Sequence, residues 1–188
     1  MSDMIHSLTL MHNRVFSAIE RATQDWLLSL AARFVFAATL LIYFWNSAKT
    51  KLGEGIFGFL SPSDGAYIQV LPKAFENAGY DSSALGIHHD IIVILGTWAE
   101  FILPALIVLG LFTRLSSLAF IGFIAVMTIV DITGHGVDAT TIGGWFDGDA
   151  SSLIFDQRAF WILLLLVLVV KGGGKLSVDG LLGRRDLY

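Results

Sequence analysis

The chain contains no cysteine. That absence removes disulfide exchange, thiolate nucleophiles, sulfur-ligated metals and iron–sulfur clusters from the chemistry this polypeptide can perform alone. Any redox reaction would need a borrowed cofactor. Charge is scarce too: 15% of the 188 residues are Asp, Glu, Lys or Arg, and the net charge is -4. The cations are scattered or lie near the edges of apolar segments, so nothing favours nucleic acid as a partner. A catalytic serine motif, a phosphate-binding glycine loop and an HExxH pair are also missing, which leaves the soluble enzyme classes without footing. Arg14, Glu20, Arg21 and Asp25 interrupt the start, which lacks the basic, apolar and small-residue regions of a signal peptide and is expected to be retained.

What the chain has in excess is apolar surface, with 55% hydrophobic residues. A domain of this length cannot hide that surplus in one water-soluble core, so lipid must be part of its solvent. Four stretches approach bilayer length: residues 26–48, 89–112, 115–133 and 153–170. Only residues 112–114 separate the second from the third, which makes them an antiparallel hairpin. The fold class expected is all-α, an integral membrane four-helix bundle with an N-terminal amphipathic helix. The domain division is 1–27 for the amphipathic segment, 28–182 for the bundle and 183–188 for a tail. Over residues 13–28, Phe16, Ile19, Ala22 and Trp26 share one side while Arg14, Arg21 and Asp25 lie elsewhere, the pattern of an interfacial helix. A short helix is expected at residues 73–78, over the mouth of the bundle. Gly96 with Ala99, and Ala119 with Gly122 and Ala125, fall at near-helical spacing. Close helix packing is the expected role, with ligand contact as the alternative.

Lysine and arginine set the orientation, because cytoplasmic flanks keep positive charge. Arg14, Arg21, Arg114, Lys171, Lys175, Arg184 and Arg185 flank one side, against Lys49, Lys51 and Lys73 on the other. Both termini are therefore expected in the cytoplasm of a multi-pass inner or plasma membrane protein.

Charges inside the spans carry the functional expectation. At 1.5 Å per residue, Glu100 comes out roughly 18 Å from the inner edge and Arg33 at about 10 Å, a gap that a long arginine side chain largely bridges. Asp131 and Arg158 both fall in the outer third and form a second expected pair. Such pairs either align helices only, since a charge in hydrocarbon needs a partner regardless of chemistry, or serve a ligand, proton or cofactor. At 100° per residue, Arg33, Phe44, Ser47 and Lys51 share one stripe, and His89, Glu100, Pro104 and Ile107 share another. Asp131 and His135 share a third. Pro104 lacks an N–H and so leaves the Glu100 carbonyl without its helical donor. His88, His89 and His135 sit at the outer edge, where imidazole can ligate metal or haem or donate to a quinone oxygen, although interfacial histidines commonly do neither. Asp147, Asp149 and Asp156 begin like a calcium loop but lack its glycine and closing glutamate. No metal is predicted.

Read together, Arg33, Lys51-Leu52-Gly53, Glu100, the turn Leu109-Gly110-Leu111-Phe112-Thr113-Arg114 and the tail Gly172-Gly173-Gly174-Lys175-Leu176-Ser177-Val178-Asp179 resemble the DoxX family. The resemblance covers roughly residues 28–182. It implies a four-helix bundle related to the DoxD component of a thiosulfate:quinone oxidoreductase, with some relatives serving membrane oxidoreductase complexes that handle thiols or oxidative stress. The long first outer loop, the extended start and the Asp/Gly-rich third loop depart from shorter members. The function expected is a quinone-linked redox component or subunit of such a complex, and the alternative is a non-catalytic scaffold or assembly subunit. Glu100, Arg33 and Lys51 are the catalytic candidates, and His89, Asp131, His135, Arg158 and Phe44 the cofactor-binding candidates. The cofactor implied is a quinone; the partners implied are membrane lipid and a redox protein, with a homo-oligomer left open.

Overall fold

A backbone in hydrocarbon must satisfy its own N–H and C=O groups, and a helix does so within one segment. The computed structural model, which describes residues 2–183, follows that rule: among the described residues there are helices and turns, and pairing of extended backbone is limited to an isolated bridge between Leu52 and Pro62. Helix α1 is Ser2–Thr23 and α2 is Leu27–Lys51, with a π turn at Ala37–Leu41. Two short helices follow, α3 at Asp64–Val70 and α4 at Pro72–Asn77, the latter with proline in its first turn, where the missing N–H costs nothing. Next come α5 at Ile87–Leu109, α6 at Thr113–His135 ending in a second π turn, and the four-residue α7 at Ala139–Ile142. Helices α8 at Phe155–Lys171 and α9 at Val178–Gly183 complete the order.

Helices α2, α5 and α6 are each long and apolar enough to cross a membrane. Helix α8, with 17 residues, packs against α2 and α6, while α5 packs against α2 and α6 from the other side. Their shared core is built from Phe36, Leu40, Phe44, Phe120, Ile124 and Leu165, all buried. Edge-to-face aromatic contacts, Phe36 to Phe120 at 5.5 Å and Phe44 to Phe120 at 4.8 Å, fix its centre.

The two ends of this group differ. At the terminal end, where α2 begins and α8 finishes, α5 and α6 join through a turn in which Gly110 takes φ +70° and the Leu111 N–H reaches the Leu106 carbonyl. At the opposite, loop end, α3 and α4 form a cover with a small core of its own, Ala66, Tyr67, Phe75 and Val93. The Tyr67 hydroxyl donates to Asp90 at 2.7 Å and pins that cover to α5. Burial, reinforced by this bond to a carboxylate, pushes the Tyr67 phenol above its usual range.

The long apolar segments lie within two or three residues of the expected spans, and α4 lies one residue from the expected short helix. Helix α3 is not foreseen, because seven residues are too few for a periodic signal. The first helix also begins earlier than residues 13–28 suggest and ends at Thr23, so Trp26 occupies the turn before α2 instead of a face of α1. Its indole N–H bonds back to the Ala22 carbonyl at 2.8 Å. Arg184, Arg185 and the tail after Gly183 lie outside the described residues.

Candidate functional site

Three buried cations, Arg33, Lys51 and Arg158, lie on the long helices, two of them paired with the carboxylates Glu100 and Asp131, and the structure sorts them into two places. The first is the loop-end half. Lys51, in the last turn of α2, meets Glu100 of α5 with its ammonium 2.9 Å and 3.1 Å from the two carboxylate oxygens. The Ser47 hydroxyl accepts from the same ammonium at 2.7 Å. The side chains are 4% and 7% exposed, so the pair is almost fully withdrawn from its surroundings. On the facing helices, Arg158 of α8 pairs with Asp131 of α6 and donates to the Thr128 hydroxyl at 2.6 Å. Arg158 Nε is buried without a partner.

A cavity of about 460 Å³ connects the two pairs. Lys51, Glu100, Asp131, His135 and Arg158 all line it, together with Tyr43, Ser47 and Gln69. The His135 Nε2–H reaches the Gln69 carbonyl at 3.2 Å, tying the end of α6 to the cover. Most of the remaining wall is apolar or small: Gly96, Leu103, Ala119, Gly122, Phe123 and Met127. Two fixed ion pairs in an apolar chamber form a preorganised polar site in which donors and acceptors act with little competition from water.

Pro104 lies one turn from Glu100 and is buried. Its ring removes the donor for the Glu100 carbonyl, and close by the Trp45 indole donates to the next carbonyl, Phe101, at 3.1 Å. The helix weakness at Glu100 is thus braced from α2.

Arg33 is elsewhere. The expectation that it reaches toward Glu100 is corrected: its guanidinium turns to the terminal end and donates to backbone carbonyls of Ile107, Val108, Gly173 and Leu176, the shortest contact being 2.6 Å to Val108. The last carbonyls of a helix lack partners and carry the negative end of its dipole, so a cation fits there without a carboxylate. Asp179 supplies the opposite charge to the start of α6. It accepts from the Phe112 and Thr113 N–H groups at 2.8 Å each and from the Thr113 hydroxyl at 2.6 Å. Burial alone would raise the Asp179 pKa, but these donors and the nearby Arg33 outweigh it and hold the carboxyl below its usual value. A Cβ at Gly110 would come within 2.5 Å of Ser177 Cβ and 2.9 Å of the Arg33 guanidinium carbon, so only glycine fits there. Arg33, Asp179 and the glycines form a clasp that fastens the tail to the α5–α6 turn.

Two further candidates lie apart from the cavity wall. Phe44 is 1% exposed and belongs to the aromatic core, touching the wall residue Phe123 from behind. The π turn before it adds a residue to the helical repeat, which spoils a uniform 100° count and leaves Tyr43 on the cavity side. His89 lies against His88 with the rings tilted and their centroids 3.9 Å apart, and it does not line the cavity. Among the described residues no group of three His, Cys, Asp or Glu is placed to hold a metal ion. Asp147, Asp149 and Asp156 instead accept from the backbone N–H groups of Gly144, Ser151 and Ser152. Sequence reasoning misses Tyr43 and Gln69. The first had a usable signal, its spacing of four from Ser47 and eight from Lys51, whereas the second depends on the unforeseen α3.

A family model described as DoxX matches residues 28–136 of the chain. The matched region holds Arg33, Lys51, Glu100, Asp131 and His135, while Arg158 and Asp179 lie beyond it. No curated protein and no solved structure matches.

Proposed function

The chain belongs to the DoxX family of membrane proteins, and from that premise we propose that it is a quinone-linked redox component of a membrane oxidoreductase, its loop-end cavity holding a quinone or similar amphipathic carrier. The observation that carries this reading is the Lys51–Glu100 pair, withdrawn from its surroundings yet forming the wall of a chamber of about 460 Å³. Charges that only align helices need each other but have no need of open space beside them.

The residues present fit such a ligand. A quinone offers two carbonyl acceptors on a flat apolar ring, and when bound it supplies a two-electron, two-proton acceptor. Lys51 and Arg158 are donors on two different helices of the same cavity, and Arg158 Nε has no protein partner. Lys51 stabilises negative charge developing on an oxygen beside it, and Glu100 holds or releases a proton at its carboxylate oxygens in the same place. Arg33, assigned a catalytic part by resemblance, acts here as a structural residue of the clasp. Electrons must come from a partner protein or a sulfur compound such as thiosulfate, since the chain has no thiol of its own. In this reading α8, extended by the residues before it, is the fourth span, α1 lies in the membrane interface, and both termini face the cytoplasm of the inner membrane.

The scaffold alternative draws on one specific feature: the Lys51 ammonium is fully used by Ser47 and Glu100 without any ligand. Gentle purification followed by quinone extraction and difference spectroscopy separates the two. The redox reading expects bound or exchangeable quinone and a spectral change on adding thiosulfate or sulfide to the chain with its co-purifying partner. A protein with neither is a scaffold.

A further inference from the structure

Close packing was the expected job of the small residues on α5 and α6, and the structure assigns them another. A Cβ placed on Gly122 would meet nothing within 4 Å, and one on Gly96 would first meet Val70 Cγ1 at 3.9 Å. Neither glycine draws two helices together. Both line the cavity, and so do Ala99 and Ala119.

These residues lie along a seam. In the antiparallel hairpin of α5 and α6, Ile92 stands level with Val130, Gly96 with Val126, Ala99 with Gly122 and Leu103 with Ala119, since each pair is nearly equidistant from the turn at Gly110. All eight line the cavity. Four of them, Ile92, Ala119, Gly122 and Val126, are also exposed on the outer surface of the helices, Val126 by 60%. The same cavity reaches inward to Lys51 and Glu100, which are 4% and 5% exposed. It therefore runs from buried charge to the flank of two apolar helices, and that flank is the part of the molecule that faces hydrocarbon.

We propose that this seam is a lateral portal: the ligand enters from the bilayer between α5 and α6, and its apolar tail lies along Gly96, Ala99, Ala119 and Gly122 while its polar head meets Lys51 and Glu100. The seam from Ile92 to Leu103 is about 16 Å long at the helical rise, room for an extended hydrocarbon chain. The smallness of the four residues keeps the channel open. The class of ligand follows: a tailed, lipid-soluble quinone and not a water-soluble one. Arg158, 8% exposed, lines the same cavity and has a buried Nε without a protein partner, which marks the inner end independently of the small residues. The inference rests on the quinone reading above and adds the path and the tail.

The test uses the full chain in nanodiscs and two probes, a decyl-substituted benzoquinone and the same headgroup without the alkyl chain. Wild-type protein should bind both, the tailed probe more tightly. Gly122→Leu fills the seam with a side chain that meets no protein atom at its Cβ, so the fold is kept, and the ratio of tailed to tail-less affinity should fall about tenfold or more. Ala125→Leu, exposed on α6 but off the cavity, controls for surface change and should leave that ratio alone. An unchanged ratio in Gly122→Leu, with wild type binding both probes, overturns the portal and leaves the quinone reading standing. Binding of neither probe to wild type overturns both.

Discussion

Arg33 and Lys51 are buried to a similar degree, 8% and 4% exposed, on the same helix, yet they do opposite things. Arg33 is surrounded by carbonyl oxygens from two parts of the chain, and the turn beside it is too crowded for even a methyl group at Gly110. Lys51 has a carboxylate on one side and a chamber on the other. A buried cation therefore does not by itself mark a ligand site. The space left beside it decides, because a helix clasp gains from filling every gap while a binding site requires one left open.

The comparison breaks most readily at the clasp. Arg33→Met leaves helix-end carbonyls buried without donors, and the cost should be about 3 kcal/mol or more. Thermal unfolding in detergent should show a fall of roughly 10 °C. No fall would mean that the terminal end is held by something other than these bonds.

Asp179 gives a milder and pH-dependent version. Its folded pKa is depressed, so its contribution is complete above the ordinary aspartate value of about 4 and is lost as pH drops below it. Wild type should lose melting temperature on acidification through that window, and Asp179→Asn, already weaker by about 1.5 kcal/mol, should lose less. Parallel curves for the two proteins would remove Asp179 from the clasp.

Removing both members of the loop-end pair should hurt far less. Replacing a buried ion pair with groups of similar shape is often neutral, so Lys51→Met with Glu100→Gln should shift stability by about 1 kcal/mol or less. Lys51→Met alone strands a carboxylate and should cost several times more. Equal losses in the single and double variants would show that the cost of Lys51→Met does not come from a stranded Glu100 carboxylate. Smallest of all, His135→Ala removes one exposed bond to Gln69 and should move the melting temperature by about 1 °C or less.

Much of this contrast was written in the residues. Long apolar runs announced the helices, and depth counting brought Asp131 to Arg158, because Arg158 lies in regular helix and Asp131 only two residues past the regular part of α6, so 1.5 Å per residue still holds there. The same arithmetic misplaced Arg33, since it supplied a carboxylate for every cation and took no account of carbonyls at a helix end as partners. Glycine was ambiguous for a physical reason: Gly110 is small because its surroundings are full, and Gly122 because its surroundings are empty. Spacing cannot tell those apart. The π turn in α2, which no local sequence signal marks, broke the stripe that joined Arg33 to Phe44 and so overstated Phe44.

Ligand-induced thermal shift tests the central contrast most directly. With a tailed quinone at about 100 times its dissociation constant, wild-type protein should gain about 2.7 kcal/mol and melt visibly higher. The Lys51→Met, Glu100→Gln double variant should melt near wild type without ligand and gain nothing with it. A double variant that gains as much as wild type would place the ligand away from the Lys51–Glu100 cavity and contradict the account.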